Sequence, residues 1–393
     1  MNSENNGDVP AKKGGLTNNV LLDKRRCLNN EFEIGENSTY QTLTKNFSTN
    51  ILFSKSKEKK LKTVGITYDL KSSYLKQGFT EEQTAEFDDE STIIAIEEEL
   101  TLAGFKPERI GNIFQLVKAL SKGKKWDLVF NISECMYGDG RESAVPALLD
   151  QYQIPYIFSG PVVMGISLNK YVSRLVIEAG GVAVSPGRII CNITDIDIVL
   201  DDLASGKLSY PLFLKPVAEG TGKGITDKSI INNNTDLRKL STEMLNSYHQ
   251  SVLVEEYLSG REFTVGIVGS GTDTQVIGGM EIICRDGLPY SNFVKENYKE
   301  YVNYLALEDD IKKQCEDIAV RVWQILGGLD GGRIDLRADR NGRICFMEVN
   351  PLAGLNPNIS DFPILTRLNG KNYHYIMKSI IESAIKRTKI QNG

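Results

Sequence analysis

Four side chains in one short stretch are placed to act together: Arg333, Asp335, Glu348 and Asn350. Two β-compatible runs, Arg333 to Asp339 and Arg343 to Val349, flank Asn341-Gly342, the dipeptide that best tolerates the positive φ values of a two-residue type I′ turn. Counting outward from that turn sets Arg340 opposite Arg343, Leu336 opposite Met347, Asp335 opposite Glu348 and Arg333 opposite Asn350. Cross-strand partners share a face of the sheet. Alternation then sends Ile334, Leu336, Met347 and Val349 to a core and turns Arg333, Asp335, Glu348 and Asn350 to the other side. Two carboxylates and an amide are hard oxygen ligands, suited to Mg²⁺ or Mn²⁺ with water and nucleotide phosphate completing the shell. The same pattern also describes a solvated sheet face with a cross-strand ion pair, because charged outer faces are usual in antiparallel sheets.

An irregular run, Pro351 to Pro363, follows the hairpin, and its Gly354 lets backbone N–H groups approach a bound oxyanion. The order Arg333-Ile334-Asp335, Glu348-Val349-Asn350-Pro351 and Gly354-Leu355-Asn356-Pro357 resembles the C-terminal signature of the D-alanine–D-alanine ligase family within the ATP-grasp superfamily. Upstream, the apolar strand Tyr210 to Lys215 runs into Gly220-Thr221-Gly222-Lys223-Gly224, a loop able to wrap backbone N–H groups around phosphate. Its spacing is not that of a Walker A loop, and a plain glycine-rich hairpin is the competing reading.

The resemblance extends over about residues 62 to 388 and implies roles residue by residue. Lys170 and Lys215 match lysines that reach the nucleotide phosphates, and Thr221 and Gly222 lie in the loop folded over them. Glu255 matches the acceptor for the adenine amino group, the backbone of Glu256, Tyr257 and Leu258 borders the ring, and Glu262 meets the ribose. Lys295 matches the lysine of a mobile loop that touches the terminal phosphate. Ser360 matches a serine that holds the second substrate's carboxylate. The implied chemistry is carboxylate–amine ligation with ATP and Mg²⁺: an acyl phosphate forms, an amine attacks it, and Arg333 with the Gly354 N–H steadies the oxyanion.

The departures lie where the substrates would bind. The family's Gly-Gly-x-Ser-x-Glu segment is replaced by Thr84 to Glu90, with Glu86 a loose counterpart of its glutamate. Its His-Gly followed by Gly-Glu-Asp-Gly is replaced by Asn131 to Arg141, and the tyrosine after its loop lysine by Glu296. The main expectation is therefore an amino-acid or dipeptide ligase of unspecified substrate. Authentic D-alanine–D-alanine ligation is the alternative, and a non-catalytic ATP-binding scaffold a second.

The elements that must position these groups read as α/β, with α+β character in the later part: an ATP-grasp fold. Residues 1–60, rich in Asn and Ser, read as a disordered extension; 61–165 as an N-terminal domain with a mostly parallel sheet; 166–256 as a central ATP-grasp subdomain; 257–390 as a C-terminal metal-binding subdomain. In the first domain Leu61–Tyr68, Trp126–Ile132 and Ile154–Phe158 read as strands. A helix from Asp88 carries Ile93, Ile94, Ile96 and Leu100 to Gly104. Ile311 to Leu326 has an apolar stripe of Ile311, Cys315, Ile318, Ala319 and Val322. A net charge of −5 over 393 residues leaves no nucleic-acid footprint, and no apolar run reaches membrane-spanning length. The scattered cysteines lack zinc spacing and fit a reducing, cytoplasmic setting, and two histidines make a His-centred triad improbable. The expected partners are small-molecule carboxylates and amines, with a homodimer left open.

Overall fold

The computed structural model describes residues 62–291, 294–295 and 297–389. The extension expected at 1–60 and the replacement at Glu296 lie outside the described residues. Thr63–Tyr68 (β1), Lys106–Gly111 (β2), Leu128–Ile132 (β3) and Tyr156–Ile157 (β4) form a wholly parallel sheet in the order β2-β1-β3-β4. Helices Glu90–Leu102 (α1), Ile113–Leu120 (α2), Ala144–Gln151 (α3) and Pro161–Leu168 (α4) alternate with the strands. Ile93, Ile96 and Leu100 of α1 are fully buried, whereas Ile94 points outward and is 43% exposed. The apolar stripe is therefore narrower than the sequence suggests.

Two antiparallel sheets follow helix α5 (Lys170–Ala179). One has the order β5-β8-β6-β7, from Gly187–Ile190 (β5), Leu212–Pro216 (β6), Ile230–Ile231 (β7) and Val252–Glu256 (β8). Asp195–Ala204 (α6) and Asn234–Tyr248 (α7) cover its apolar side through Leu212, Leu214, Val252 and Val254. The other has the order β11-β10-β9-β12-β13, from Glu262–Val268 (β9), Gln275–Cys284 (β10), Val302–Ala306 (β11), Gly331–Ala338 (β12) and Ile344–Asn350 (β13). Asp309–Leu326 (α8) packs Cys315, Ala319, Val322 and Trp323 against Val265, Ile334 and Leu336 on one face. Against the same sheet Asp361–Leu368 (α9) sets Phe362 and Leu365 within 3 Å of where a Cβ on Gly266 would lie. Tyr373–Thr388 (α10) closes the chain. No helix among the described residues is long and apolar enough to cross a membrane. The described cysteines are all free, and both histidines are exposed, His249 capping α7 and His374 bonded to Glu99.

The β12–β13 hairpin corrects the expected turn in an informative way. Only Gly342 has positive φ, at 84°, while Asn341 does not, so the turn is not type I′. The Asp339 N–H donates to the Arg343 carbonyl, and the Asp339 carboxylate accepts from the N–H groups of Asn341 and Arg343. Three residues sit inside that closure, so the strands leave the turn one position out of the expected register: Leu336 pairs with Phe346, not Met347. A bulge between Asp335 and Leu336 restores it, and Asp335 pairs with Glu348 and Arg333 with Asn350 as expected. Phe346 takes the core place, and Met347 turns to the cleft side.

Trp323 sets how closely the hairpin can lie on α8. A Cβ on Gly332 would come 2.6 Å from its ring and 2.8 Å from the Asn350 carbonyl oxygen. Gly332→Ala is therefore expected to destabilise the protein by about 1–3 kcal/mol in urea unfolding, and an unchanged midpoint would show that the hairpin can shift freely.

Candidate active site

The cleft side of the β9–β12–β13 sheet carries its polar groups, most of them buried, in cross-strand rows. Thr264, Asp335 and Glu348 form one row, and Arg333 and Asn350 stand one step along. Asp335 is a buried hub. It accepts from Thr264 Oγ1 at 2.6 Å, from Arg333 Nε and Nη2 at 2.9 and 3.0 Å, and from Asn350 Nδ2 at 3.0 Å. Asn350 thus gives its amide nitrogen to Asp335 and keeps its oxygen available. Arg333 also reaches Asp361 at 3.5 Å, and Asp361 accepts from the Tyr290 hydroxyl at 2.7 Å.

Glu348 is the meeting point of cations from four separate segments of the chain. Lys170 of α5 lies 3.5 Å away. Burial by itself would push the Glu348 carboxyl up, but Lys170, Lys215, Lys295 and Arg333 outweigh it and hold the group at about 2. The Glu348 and Asp335 carboxylates on one cross-strand row, with the Asn350 side chain bonded to Asp335, make a hard-oxygen set that fits a divalent cation. Among the described residues no three His, Cys, Asp or Glu side chains are grouped to hold a metal ion, so this set depends on the Asn350 amide oxygen as its third ligand.

Lys215 is delivered by alternation along β6, where Leu212 and Leu214 face the core and Phe213 and Lys215 face the cleft. Its ammonium lies 2.7 Å from Glu255 on the neighbouring β8. The loop after β6 takes positive φ at Thr221, Gly222 and Gly224, the curled backbone that aims N–H groups inward. Lys295 lies 4.7 Å from the centre of the Tyr290 ring.

Two adjoining cavities gather most of the expected residues. A cavity of about 430 Å³ is lined by Lys170, Thr221, Lys295, Arg333, Glu348, Asn350, Gly354 and Ser360. A cleft of about 60 Å³ is lined by Lys170, Lys215, Gly222, Glu262, Lys295, Asp335 and Glu348. The smaller volume is well below the roughly 300 Å³ of an ordinary ligand pocket, so a nucleotide requires the glycine-rich loop to lift. Glu255, Glu256, Tyr257 and Leu258 line neither cavity. The Glu256 and Tyr257 N–H groups donate to Pro186 and Pro211, and the Glu256 carboxylate accepts from Ser209, so that part of the connector is held by its own neighbours. Glu262 is paired with Arg337 at 3.1 Å, and Arg337 also donates to the Tyr257 hydroxyl at 2.9 Å. Ser360 accepts from the Asn356 N–H at 3.1 Å, and a Cβ on Gly354 would lie 2.8 Å from its oxygen, so a side chain there would displace the Ser360 hydroxyl.

Several participants carry no local signal in the sequence. Thr264, Asp361, Tyr290 and Arg337 matter only through distant partners. Arg141 and Glu86, separated by more than fifty positions, pair at 2.7 Å. The row of cleft-facing positions on β9 could have disclosed Thr264 once β9 was set beside β12.

Known proteins resemble this chain in sequence and in fold. The family model described as the D-ala D-ala ligase C-terminus matches residues 196–382. A D-alanine–D-alanine ligase of Lacticaseibacillus casei is 26% identical over 343 residues, covering 86% of this chain and 89% of its own length. Among solved structures, a D-alanine–D-alanine ligase of Bacillus anthracis complexed with ATP superposes with a TM-score of 0.65 at 19% identity, covering 84% of this chain and 99% of its own. A D-Ala:D-Ser ligase of Enterococcus faecalis does so with a TM-score of 0.62 at 17% identity, over 83% of this chain and all of its own. In sequence and in fold, then, the chain is similar to D-alanine–D-alanine ligases, a likeness that points to an ATP-dependent, ADP-forming ligase.

Proposed function

We propose that this protein joins two amino acids by an amide bond at the expense of ATP, and that D-alanine is the first substrate to test in both positions. The observation that carries the reading is the convergence of Lys170, Lys215, Lys295 and Arg333 on the Glu348 carboxylate beside Asp335. So many cations around one carboxylate suit a polyphosphate with its counterion better than an isolated sheet face. The names of the relatives favour D-alanine–D-alanine ligation over the general amide ligase expected from the altered substrate segments. The D-Ala:D-Ser neighbour supports reading the second position as adaptable.

In the proposed sequence Lys170 and Lys215 bind the nucleotide phosphates, and Lys295 approaches the terminal one. Asp335, Glu348 and the Asn350 oxygen would hold Mg²⁺ or Mn²⁺, which when bound neutralises phosphate charge. A substrate carboxylate oxygen attacks the γ-phosphorus and ADP departs. The amine of the second substrate then attacks the acyl carbon, and phosphate leaves with the original carboxylate oxygen as the nitrogen loses its proton. Arg333 and the Gly354 N–H face the cavity where the tetrahedral oxyanion would form. Ser360, one turn on, would orient the second carboxylate. Loop closure keeps water from the acyl phosphate.

The substrate end of the cavity has a charge character of its own. Glu134 and Glu142 lie within hydrogen-bond reach of each other and both face the cavity. Burial, and then repulsion from Glu86, push the Glu142 carboxyl up to about 7 against the pull of Arg141 and Lys170, and burial and Glu142 push Glu134 well up. A carboxyl raised in the folded state stabilises the protein below its unfolded value, and that stability is lost as pH rises through the folded one.

Two outcomes are expected. Phosphate release from ATP with D-alanine should fall by on the order of 100-fold or more in Glu348→Gln and in Lys215→Ala, and unchanged turnover in either would remove that residue from the site. In thermal unfolding, Glu142→Gln should gain on the parent protein between pH 5 and pH 8, at about 2–4 °C per kcal/mol of relieved strain. A difference that stays constant with pH would mean that Glu142 titrates normally.

A further inference from the structure

Glu86 is the loose counterpart of a glutamate that helps build the family's first-substrate site, but here it is already engaged. One of its oxygens accepts from Arg141 Nη2 at 2.7 Å, and the other accepts from the Gly220 N–H. Arg141 is itself fixed by the Ala218 carbonyl at 2.7 Å, so Glu86 and Arg141 tie the first domain to the glycine-rich loop. Little of Glu86 remains for a ligand.

Glu134 and Glu142 are differently placed, within hydrogen-bond reach of each other. Among the described residues no lysine or arginine comes within ion-pair distance of either, although both line the 430 Å³ cavity. The backbone on either side of each is held in place. Glu134 sits between Ser133 and Cys135, and the buried Asp69 accepts from the Ser133 hydroxyl at 2.5 Å and from the Cys135 N–H at 2.9 Å. Glu142 follows the anchored Arg141 in the turn that leads into α3. A third group lines the same cavity from α4. Ser167 is only 4% exposed, and its hydroxyl has no hydrogen-bond partner. A buried hydroxyl without a partner costs free energy that a bound ligand recovers.

We infer that Glu134, Glu142 and Ser167 form the seat of a primary ammonium group on the substrate, taking over the place that Glu86 has left for Arg141. The chemistry matches in number and sign: an alkylammonium carries three N–H donors and no acceptor, and the seat offers two carboxylates and a hydroxyl. A neutral alcohol or a second carboxylate would leave the acidic pair uncompensated. The inference rests on reading this cavity as the ligase's substrate site. The ammonium belongs either to the α-amine of an amino acid or to a side-chain amine.

Titration calorimetry of the full-length chain with ADP and Mg²⁺ present tests this, using D-alanine, L-alanine, β-alanine, ornithine and propionate as probes. At least one amine-bearing probe should bind tenfold or more tightly than propionate. Glu134→Gln and Glu142→Gln should each reduce that preference about ten- to a hundredfold, without changing the affinity for propionate or ADP. Ser167→Ala should reduce it less. Because Glu142→Gln is expected to be the more stable protein at pH 8, weaker amine binding by it cannot be laid to unfolding. Alanine binding more tightly than β-alanine and ornithine identifies the α-amine; the reverse order identifies a side-chain amine. Propionate binding as well as every amine, or a preference that survives both substitutions, overturns the inference. Amine-selective binding with no phosphate release from ATP would leave the seat standing and overturn the ligase reading instead.

Discussion

The pairing of Asp335 with Glu348 across β12 and β13 is the constraint on which the rest depends. Two carboxylates side by side repel, and burial raises the cost of charging them. The fold compensates from several directions. Arg333 grips Asp335 with two hydrogen bonds, Thr264 and Asn350 add one each, and Lys170, Lys215 and Lys295 converge on Glu348. Those groups come from α5, from β6, from β9, from the loop before β11 and from the hairpin itself. To place them together the chain must stack both antiparallel sheets and the turn into α5 around one point. The Glu348 carboxylate stays charged because the architecture brings cations to it, and the same cations make the point suitable for phosphate.

Much of this was legible because it is local. A period of two along β6 and β12 assigns Lys215 and Asp335 to the cleft face, and the stripe on α8 reads directly as Cys315, Ala319 and Val322 against the sheet. The hairpin shows the limit of such reading. The turn is one residue longer than Asn341-Gly342 suggests, and the bulge beside Met347 takes the extra residue back, so the carboxylates meet as expected although Leu336 and Met347 do not. Side-chain alternation cannot reveal a bulge, because the bulge breaks the period on which the reading relies.

What was not legible is long-range. Asp361 matters through Arg333 and Tyr290, Arg337 through Glu262 and Tyr257, and Glu86 through Arg141. None of these pairs has a spacing that marks it in one sequence. The connector Glu255 to Leu258 is also held by its own neighbours, its Glu256 and Tyr257 amides already donated to Pro186 and Pro211. The residues that motifs identify therefore gather around Glu348, whereas the pairings around Glu86 and Arg141 are visible only in three dimensions.

The central claim is that a substrate carboxylate is activated by transfer of the γ-phosphoryl group. The most direct measurement uses D-alanine labelled with ¹⁸O in its carboxylate, ATP and Mg²⁺, and reads the isotopic mass of the phosphate released. The account predicts one ¹⁸O carried into phosphate for each amide bond formed, because the oxygen that attacks phosphorus leaves with it. Amide formation with unlabelled phosphate would contradict the acyl-phosphate route.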